Sequence, residues 1–134
     1  MNYEFCGTSP YRSTENGADS MQKLGYYNGT CGPLDEMTVP MNDRASWFGD
    51  GVYDAGLSRN YHIFALGEHI DRLFRSAAAL RIEMPLSKQE LADLLNDLVK
   101  KMDTGNLLVY YQVTRGTAQR RPCSFSVHSA PFAV

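Results

Sequence analysis

The side chains best suited to chemistry lie in two short segments, one carrying a tyrosine and the other an arginine. Tyr53 follows the run Phe48-Gly49-Asp50-Gly51-Val52, in which Asp50-Gly51 supplies the backbone freedom of a tight turn. Arg72 follows His69 by three residues, so that the two side chains share one face of a helix. A guanidinium offers a rigid donor fork to phosphate or carboxylate, and a phenol can position a carboxylate. A strand tyrosine brought close to a helix arginine therefore predicts an anion site.

Each of these residues also has a purely structural interpretation. An arginine off the apolar face of a helix is commonly solvated surface, and a strand tyrosine is commonly half-buried packing. Arg120 and Arg121 follow a Gly-Thr turn, where loop cations often meet anionic ligands, but a bare dipeptide is weak evidence. The residues alone predict an arguable anion site without naming a reaction.

Composition limits the class of protein. With 134 residues, 43% of them hydrophobic and 21% charged, the chain is typical of one soluble globular domain. A net charge of −2 disfavours a nucleic-acid partner. Three widely spaced cysteines without a C-x-x-C pair favour a reducing compartment over a disulfide framework or a zinc site, and no metal is predicted. No apolar run approaches the roughly 20 residues that span a bilayer, which predicts a cytoplasmic domain with no membrane partner.

The first half of the chain predicts short strands. Residues 1–20 lack periodicity and predict a flexible leader, after which residues 24–28 and 34–39 read as a strand and its return strand. Residues 41–51 read as irregular. Two apolar stretches at 52–57 and 61–66, separated by Ser58-Arg59-Asn60, predict a hairpin, with Gly67 breaking its second strand.

The second half changes to a helical period. From Glu68 onward one helical face is apolar, and after Met84-Pro85 the run Ser87-Lys88-Gln89-Glu90 predicts a capping box that starts a second amphipathic helix. Residues 107–114 (LLVYYQVT) predict a strand apolar on both faces and central in its sheet. This order predicts an α+β fold, a mainly antiparallel sheet with two helices packed on one side.

Several collinear runs resemble the N-terminal small domain of the fold-type IV (class IV) pyridoxal-phosphate-dependent aminotransferases, and in particular the D-amino-acid aminotransferases. The resemblance covers residues 25–121 and rests on the runs Asn42-Asp43-Arg44, Phe48-Gly49-Asp50-Gly51-Val52-Tyr53, Glu68-His69-Ile70-Asp71-Arg72-Leu73, Ser76-Ala77 and Gln112-Val113-Thr114-Arg115-Gly116.

The resemblance implies a role for each matching residue. Arg72 corresponds to the residue that binds the 5′-phosphate of pyridoxal phosphate, which favours the anion interpretation. Tyr53 and Tyr110 correspond to tyrosines of the substrate pocket. Arg120 corresponds to an arginine of D-specific members that reaches the substrate carboxylate in the neighbouring subunit's site. The family implies amino acid and 2-oxo acid substrates and a homodimer.

Two departures from the family pattern qualify this expectation. Pro122 stands where members with that carboxylate-binding arginine usually have a histidine, which leaves the handedness of the substrate open. The family's Schiff-base lysine lies in a downstream large domain, and none of Lys23, Lys88, Lys100 and Lys101 matches it. The expectation is a fragment or truncated gene product, inactive by itself and with weak or no cofactor binding: a leader at 1–20, the small domain at 21–121, and a tail at 122–134 where the match is lost.

Other functions remain open at this stage. Within the family, a fragment of a branched-chain aminotransferase or of an aminodeoxychorismate lyase fits the same motifs. Outside catalysis, the chain could be a phosphate-binding or dimerisation module. A lone small domain is also expected to expose apolar surface and to self-associate.

Overall fold

The computed structural model describes residues 23–117 and 132–133. Its strands form one sheet in the order β2-β1-β6-β5-β3-β4, and every adjacent pair is antiparallel. The strands are β1 (Leu24–Tyr27), β2 (Thr30–Pro33), β3 (Gly51–Arg59), β4 (His62–Ile63), β5 (Leu107–Thr114) and β6 (Phe132–Ala133). The helices are α1 (Arg44–Phe48), α2 (Leu66–Ala79) and α3 (Lys88–Lys100), and Leu34–Glu36 form one turn of 3-10 helix.

Helices α2 and α3 pack on one face of the sheet and form the core with it. The buried apolar side chains come from both helices and from every second residue of β5, and they include Ile70, Leu73, Ala77, Leu91, Leu95, Val109, Tyr111 and Val113. The predicted α+β architecture, with two helices on one side of an antiparallel sheet, is confirmed; the short α1 adds a third helix.

The pairing of β3 with β5 fixes which side chains face the helices. Eight residue pairs run from Gly51↔Thr114 to Ser58↔Leu107. Because strand side chains alternate between the two faces, Asp54 is buried beneath the helices whereas its neighbour Tyr53 projects from the other face. Strand β5 lies between β6 and β3, as predicted, and Leu108 and Tyr110 leave its second face exposed.

The predicted return strand at 34–39 is wrong. Strand β2 is Thr30–Pro33, directly after Asn28-Gly29, which have positive φ angles of 47° and 89°. Asn-Gly favours the two-residue turn whose twist matches a hairpin, so the chain reverses earlier than its apolar pattern indicates. The prediction of an irregular segment at 41–51 missed α1, which Asp43 caps by accepting from the Ala45 N–H and which ends at Gly49 with φ 62°.

The predicted hairpin exists, but its turn is later and its second strand is shorter. Strand β3 continues to Arg59, the turn residues Asn60 and Tyr61 both have positive φ, and β4 contains only His62 and Ile63. Helix α2 begins at Leu66, so Gly67 lies inside the helix and does not end a strand. No helix in the described part of the chain is long and apolar enough to cross a membrane.

Candidate functional site

A buried carboxylate joins β3 to α2 at the centre of the candidate site. Asp54 faces the helices with its side chain fully buried, and Arg72 of α2 reaches it with two hydrogen bonds. Arg72 Nε donates to Oδ2 and Nη2 donates to Oδ1, both at 2.6 Å. His69 Nδ1 lies 2.9 Å from Oδ1 and 3.1 Å from Arg72 Nη2. The helical spacing of His69 and Arg72 thus directs both side chains to one carboxylate.

The partners of Asp54 keep it ionised. Burial by itself would raise the pKa of the Asp54 carboxyl, but hydrogen bonds from Arg72, His69 and the Ala55 N–H outweigh burial, so that its pKa lies below the ordinary value of 3.8. Arg72 carries the matching charge, and hydrogen bonding to Asp54 raises the pKa of its guanidinium. The ion pair therefore persists throughout the neutral range.

The Asp54–Arg72 pair lies at an open edge of the sheet. Among the described residues, β4 pairs only with Ser58 and Arg59 of β3, so the preceding part of β3 has β5 on one side and no strand on the other. The Ala55 N–H donates a hydrogen bond to Asp54 Oδ1 at 2.7 Å, so this backbone donor is satisfied by the carboxylate. The Arg72 side chain is 58% exposed, which leaves it accessible to a ligand from solvent.

The other face of β3 carries an aromatic pair. Tyr53 and Tyr110 stack with ring centroids 5.3 Å apart and an interplanar angle of 24°. The Tyr110 hydroxyl donates to Gln112 Oε1 at 3.1 Å, and burial, with a smaller effect of Tyr53, raises the pKa of Tyr110. Tyr53 is 66% exposed, so its phenol faces solvent beside Tyr110. Two aromatic faces with polar tips suit an organic ligand that carries polar groups.

A further buried polar group is the hydroxyl of Tyr111, the residue that pairs with Asp54 across the two strands β3 and β5. Tyr111 is fully buried, and its hydroxyl has no hydrogen-bond partner among the described residues. Burial, reinforced by the negative charge of Asp54, raises the pKa of Tyr111 to about 12. The phenol is therefore neutral at ordinary pH. It adds a polar group near Asp54 but no charge.

A second charged cluster, around Asp50, has a structural role. Asp50, at the turn before β3, accepts from Arg115 Nε and from Arg44 Nε, and Arg115 also donates to the backbone carbonyls of Leu80 and Arg81. Burial opposes ionisation, but the two arginines hold the pKa of Asp50 below its ordinary value. These bonds tie the start of β3, the end of β5 and the end of α2 together, which fixes the frame of the candidate site.

The structure brings together some of the predicted residues and separates others. Tyr53 and Tyr110 are neighbours, whereas Arg72 lies on the opposite face of β3, so the sheet edge separates it from Tyr53. The Tyr53 and Arg72 side chains thus flank the same edge of the sheet from opposite faces of β3, and their closeness stays a prediction. Arg120 lies outside the described residues. The described part of the chain holds no group of three or more His, Cys, Asp or Glu side chains that could bind a metal ion.

Sequence reasoning missed Asp54 and Tyr111. The sequence gives little signal for Asp54, because the apolar residues that alternate in β3 are Tyr53, Ala55 and Leu57, and the burial of Asp54 becomes evident only from the structure. The signal for Tyr111 was also weak, since its burial becomes evident only from the pairing of β5 with β3.

Comparison with known proteins identifies related chains. The family model described as amino-transferase class IV matches residues 51–134, a stretch that includes residues 122–134 beyond the quoted motifs. A D-alanine aminotransferase of Listeria monocytogenes is 46% identical over 89 residues, which make up 65% of this chain and 30% of the relative.

Solved structures share the fold. The branched-chain amino acid aminotransferase of Escherichia coli superposes with a TM-score of 0.75 at 19% identity over 84% of this chain and 38% of its own. The branched-chain aminotransferase of the thermophilic archaeon Thermoproteus uzoniensis, solved with norvaline, has a TM-score of 0.71 at 19% identity, covering 82% and 38%. The chain thus spans between 30% and 38% of the length of these three proteins.

Proposed function

The chain belongs to the class IV aminotransferase family, and on that premise we propose that it binds pyridoxal 5′-phosphate through Arg72. We propose further that it forms the cofactor-gripping part of an enzyme that transfers an amino group from a D-amino acid to a 2-oxo acid. The observation that carries the proposal is the Arg72 guanidinium anchored on a buried carboxylate at the open edge of β3.

The donor set at this edge fits a phosphate. Arg72 commits Nε and Nη2 to Asp54, and within the described residues Nη1 has no hydrogen-bond partner. A guanidinium that keeps free N–H groups suits the tetrahedral oxygens of a phosphate ester. When bound, pyridoxal phosphate supplies the aldehyde and the electron sink for amino-group transfer. The chain's own contribution is to hold and orient the phosphate end, with a weak affinity because one arginine is the main contact.

The aromatic pair supports a substrate pocket on the other side of the same edge. We propose that Tyr53 and Tyr110 line this pocket and that their hydroxyls orient a substrate carboxylate. The D-amino acid is favoured over a branched-chain L-amino acid because the D-alanine aminotransferase is 46% identical, against 19% for the E. coli branched-chain enzyme. Arg120, by the same proposal, reaches the carboxylate in the neighbouring subunit of a homodimer.

The chain by itself is proposed to lack the amine that the reaction requires. Lys88 donates to Asp71 and Lys100 lies 3.6 Å from Asp97, both on the helix side of the sheet. Lys101 caps the C-terminus of α3, and Lys23 is an exposed residue before β1. Lys23 lines a cavity together with Tyr110, but the hydrogen-bond partners of Arg72 within the described residues are Asp54 and His69, and neither of them is a lysine. We therefore expect weak cofactor binding without turnover.

The test is a titration of the 134-residue chain with pyridoxal 5′-phosphate and, in parallel, with pyridoxal, followed by absorbance and by Trp47 fluorescence. The wild-type chain should bind the phosphorylated compound more tightly, because the phosphate pairs with Arg72. R72A should lose this preference by about tenfold or more, the range expected for a charged hydrogen-bonded contact.

The matched control is R75A, which removes an exposed arginine three residues further along the same helix. R75A should bind like the wild type. Equal affinities of wild type and R72A for pyridoxal phosphate would contradict the proposal and favour a purely structural module. Turnover of D-alanine with a 2-oxo acid by the chain alone would contradict the proposed lack of an amine.

A further inference from the structure

We infer that Asp54 is the positioning residue that aims Arg72 at the cofactor phosphate, an inference that rests on the proposed function. The two oxygens of Asp54 accept two different donors of the fork, Nε and Nη2, each at 2.6 Å. Two bonds to a planar group fix its orientation as well as its position. The two N–H groups of Nη1 lie on the side of the guanidinium away from the carboxylate.

Asp54 is suited to this role because it cannot move. Its side chain is fully buried, and Oδ1 is also held by the Ala55 N–H at 2.7 Å and by His69 Nδ1 at 2.9 Å. Arg72, in contrast, is more than half exposed, and a free arginine side chain samples many rotamers. A mobile cation fixed by an immobile anion is a preorganised donor, so a ligand does not have to order it on binding.

Charge and orientation make opposite predictions for loss of the carboxylate. Asp54 neutralises Arg72, so its removal leaves a net positive charge that would strengthen the binding of any anion by Coulomb attraction. If Asp54 only compensates charge, a neutral replacement binds phosphate more tightly. If Asp54 positions the guanidinium, the same replacement binds phosphate more weakly because the fork loses its direction. The sign of the change therefore decides between the two roles.

The experiment compares D54N, D54E and D71N with the wild-type 134-residue chain. For each, the ratio of the dissociation constants for pyridoxal and pyridoxal 5′-phosphate measures what the phosphate contributes. D54N should lower this ratio about tenfold, because the loss of preorganisation exceeds the gain in charge. D54E keeps a carboxylate that can accept both N–H groups and should restore most of the preference. D71N removes a surface carboxylate of α2, the helix that carries Arg72. Asp71 pairs with Lys88 of α3, and its loss should leave the ratio unchanged.

A second measurement needs no ligand. In the wild-type chain the Arg72 Nε–H is held on Asp54, so its side-chain NMR cross-peak should exchange slowly with water; D54N should lose this protection and D71N should keep it. D54N binding pyridoxal phosphate as tightly as the wild type, or more tightly, overturns the inference. So does fast exchange of the Arg72 Nε–H in the wild type. A wild-type chain that shows protection but does not prefer the phosphorylated compound overturns the proposed function instead.

Discussion

Asp54 organises the candidate site because a buried carboxylate must be neutralised where it lies. An ionised carboxylate without partners would be strongly disfavoured in the interior, and the fold supplies donors from three residues, Ala55, His69 and Arg72, within 2.9 Å. Arg72 and His69 both lie on α2 at helical spacing, so one helix face supplies two of these residues. The hydrogen bonds that neutralise the buried Asp54 carboxylate also orient the Arg72 guanidinium, which is exposed to solvent. At this site the requirement of folding and the proposed function are met by the same ion pair.

Tyr111 presents the opposite case, a buried polar group whose hydroxyl has no partner among the described residues. Replacing it in Y111F removes the hydroxyl and keeps the ring, so the free energy of unfolding at pH 7 should rise by about 1 kcal/mol, the usual cost of an unsatisfied buried group. Chemical denaturation followed by circular dichroism measures this difference.

The advantage of Y111F should also grow at alkaline pH. The pKa of Tyr111 is raised to about 12 in the fold from an ordinary 10.0, so the unfolded phenol ionises first and wild-type stability falls as pH rises above that ordinary value. Y111F lacks this group and should lose less stability between neutral pH and pH values above 10.0. Destabilisation by Y111F at pH 7 would show instead that the hydroxyl has a partner that stabilises the fold.

At the scale of elements, the sequence predicted those whose signals are local and long. The second amphipathic helix was predicted from its capping box, and both halves of that box are present, with Ser87 accepting from the Glu90 N–H and Glu90 from the Ser87 N–H. Strand β5 spans the predicted residues because its apolar run is bounded by a Thr-Gly and an Arg-Gly turn. The short elements were not predicted correctly, because α1 has five residues and β4 has two, which is too few for a periodic signal.

The sequence singles out candidate residues for the site but not their arrangement. Tyr53 and Arg72 were singled out by type and context, yet they flank an edge on opposite faces. That relation depends on which face of β3 meets α2, and only the pairing of β3 with β5 and the packing of α2 decide it. The Asp54 anchor follows from the same packing. Residue type thus indicated anion chemistry, whereas the tertiary fold determined which side chains cooperate.

The capping box of α3 gives a prediction at this scale. S87A removes the side-chain acceptor of the Glu90 N–H, so the free energy of unfolding should fall by about 1 kcal/mol. The matched control is S46A, which removes a serine hydroxyl of α1 that makes no hydrogen bond within the described part of the chain; it should change stability much less. Urea unfolding of both variants measures the difference, and equal effects would show that the cap contributes nothing specific.

At the scale of the whole molecule, the sheet is covered on one side and open on the other. Helices α2 and α3 bury one face, while the opposite face exposes Tyr53, Leu57, Leu108 and Tyr110 on the adjacent strands β3 and β5. Leu57 and Leu108 form a directly paired position and are 66% and 71% exposed. Monomeric proteins seldom expose a contiguous apolar patch of this kind without a partner for it. The face adjoins the proposed substrate pocket, so a partner that covers this face would also complete the pocket.

Self-association of the 134-residue chain through this open face is the prediction that follows. L108K places a charge at the centre of the patch and should shift the chain toward monomer, because a buried lysine would have to lose its hydration. M41K is the matched control, since Met41 is also an apolar, exposed residue but lies outside the sheet. Light scattering coupled to size-exclusion chromatography, over a concentration series, measures the average mass. A wild-type chain that stays monomeric at the highest concentration, or an M41K variant that dissociates as fully as L108K, would contradict association through this face.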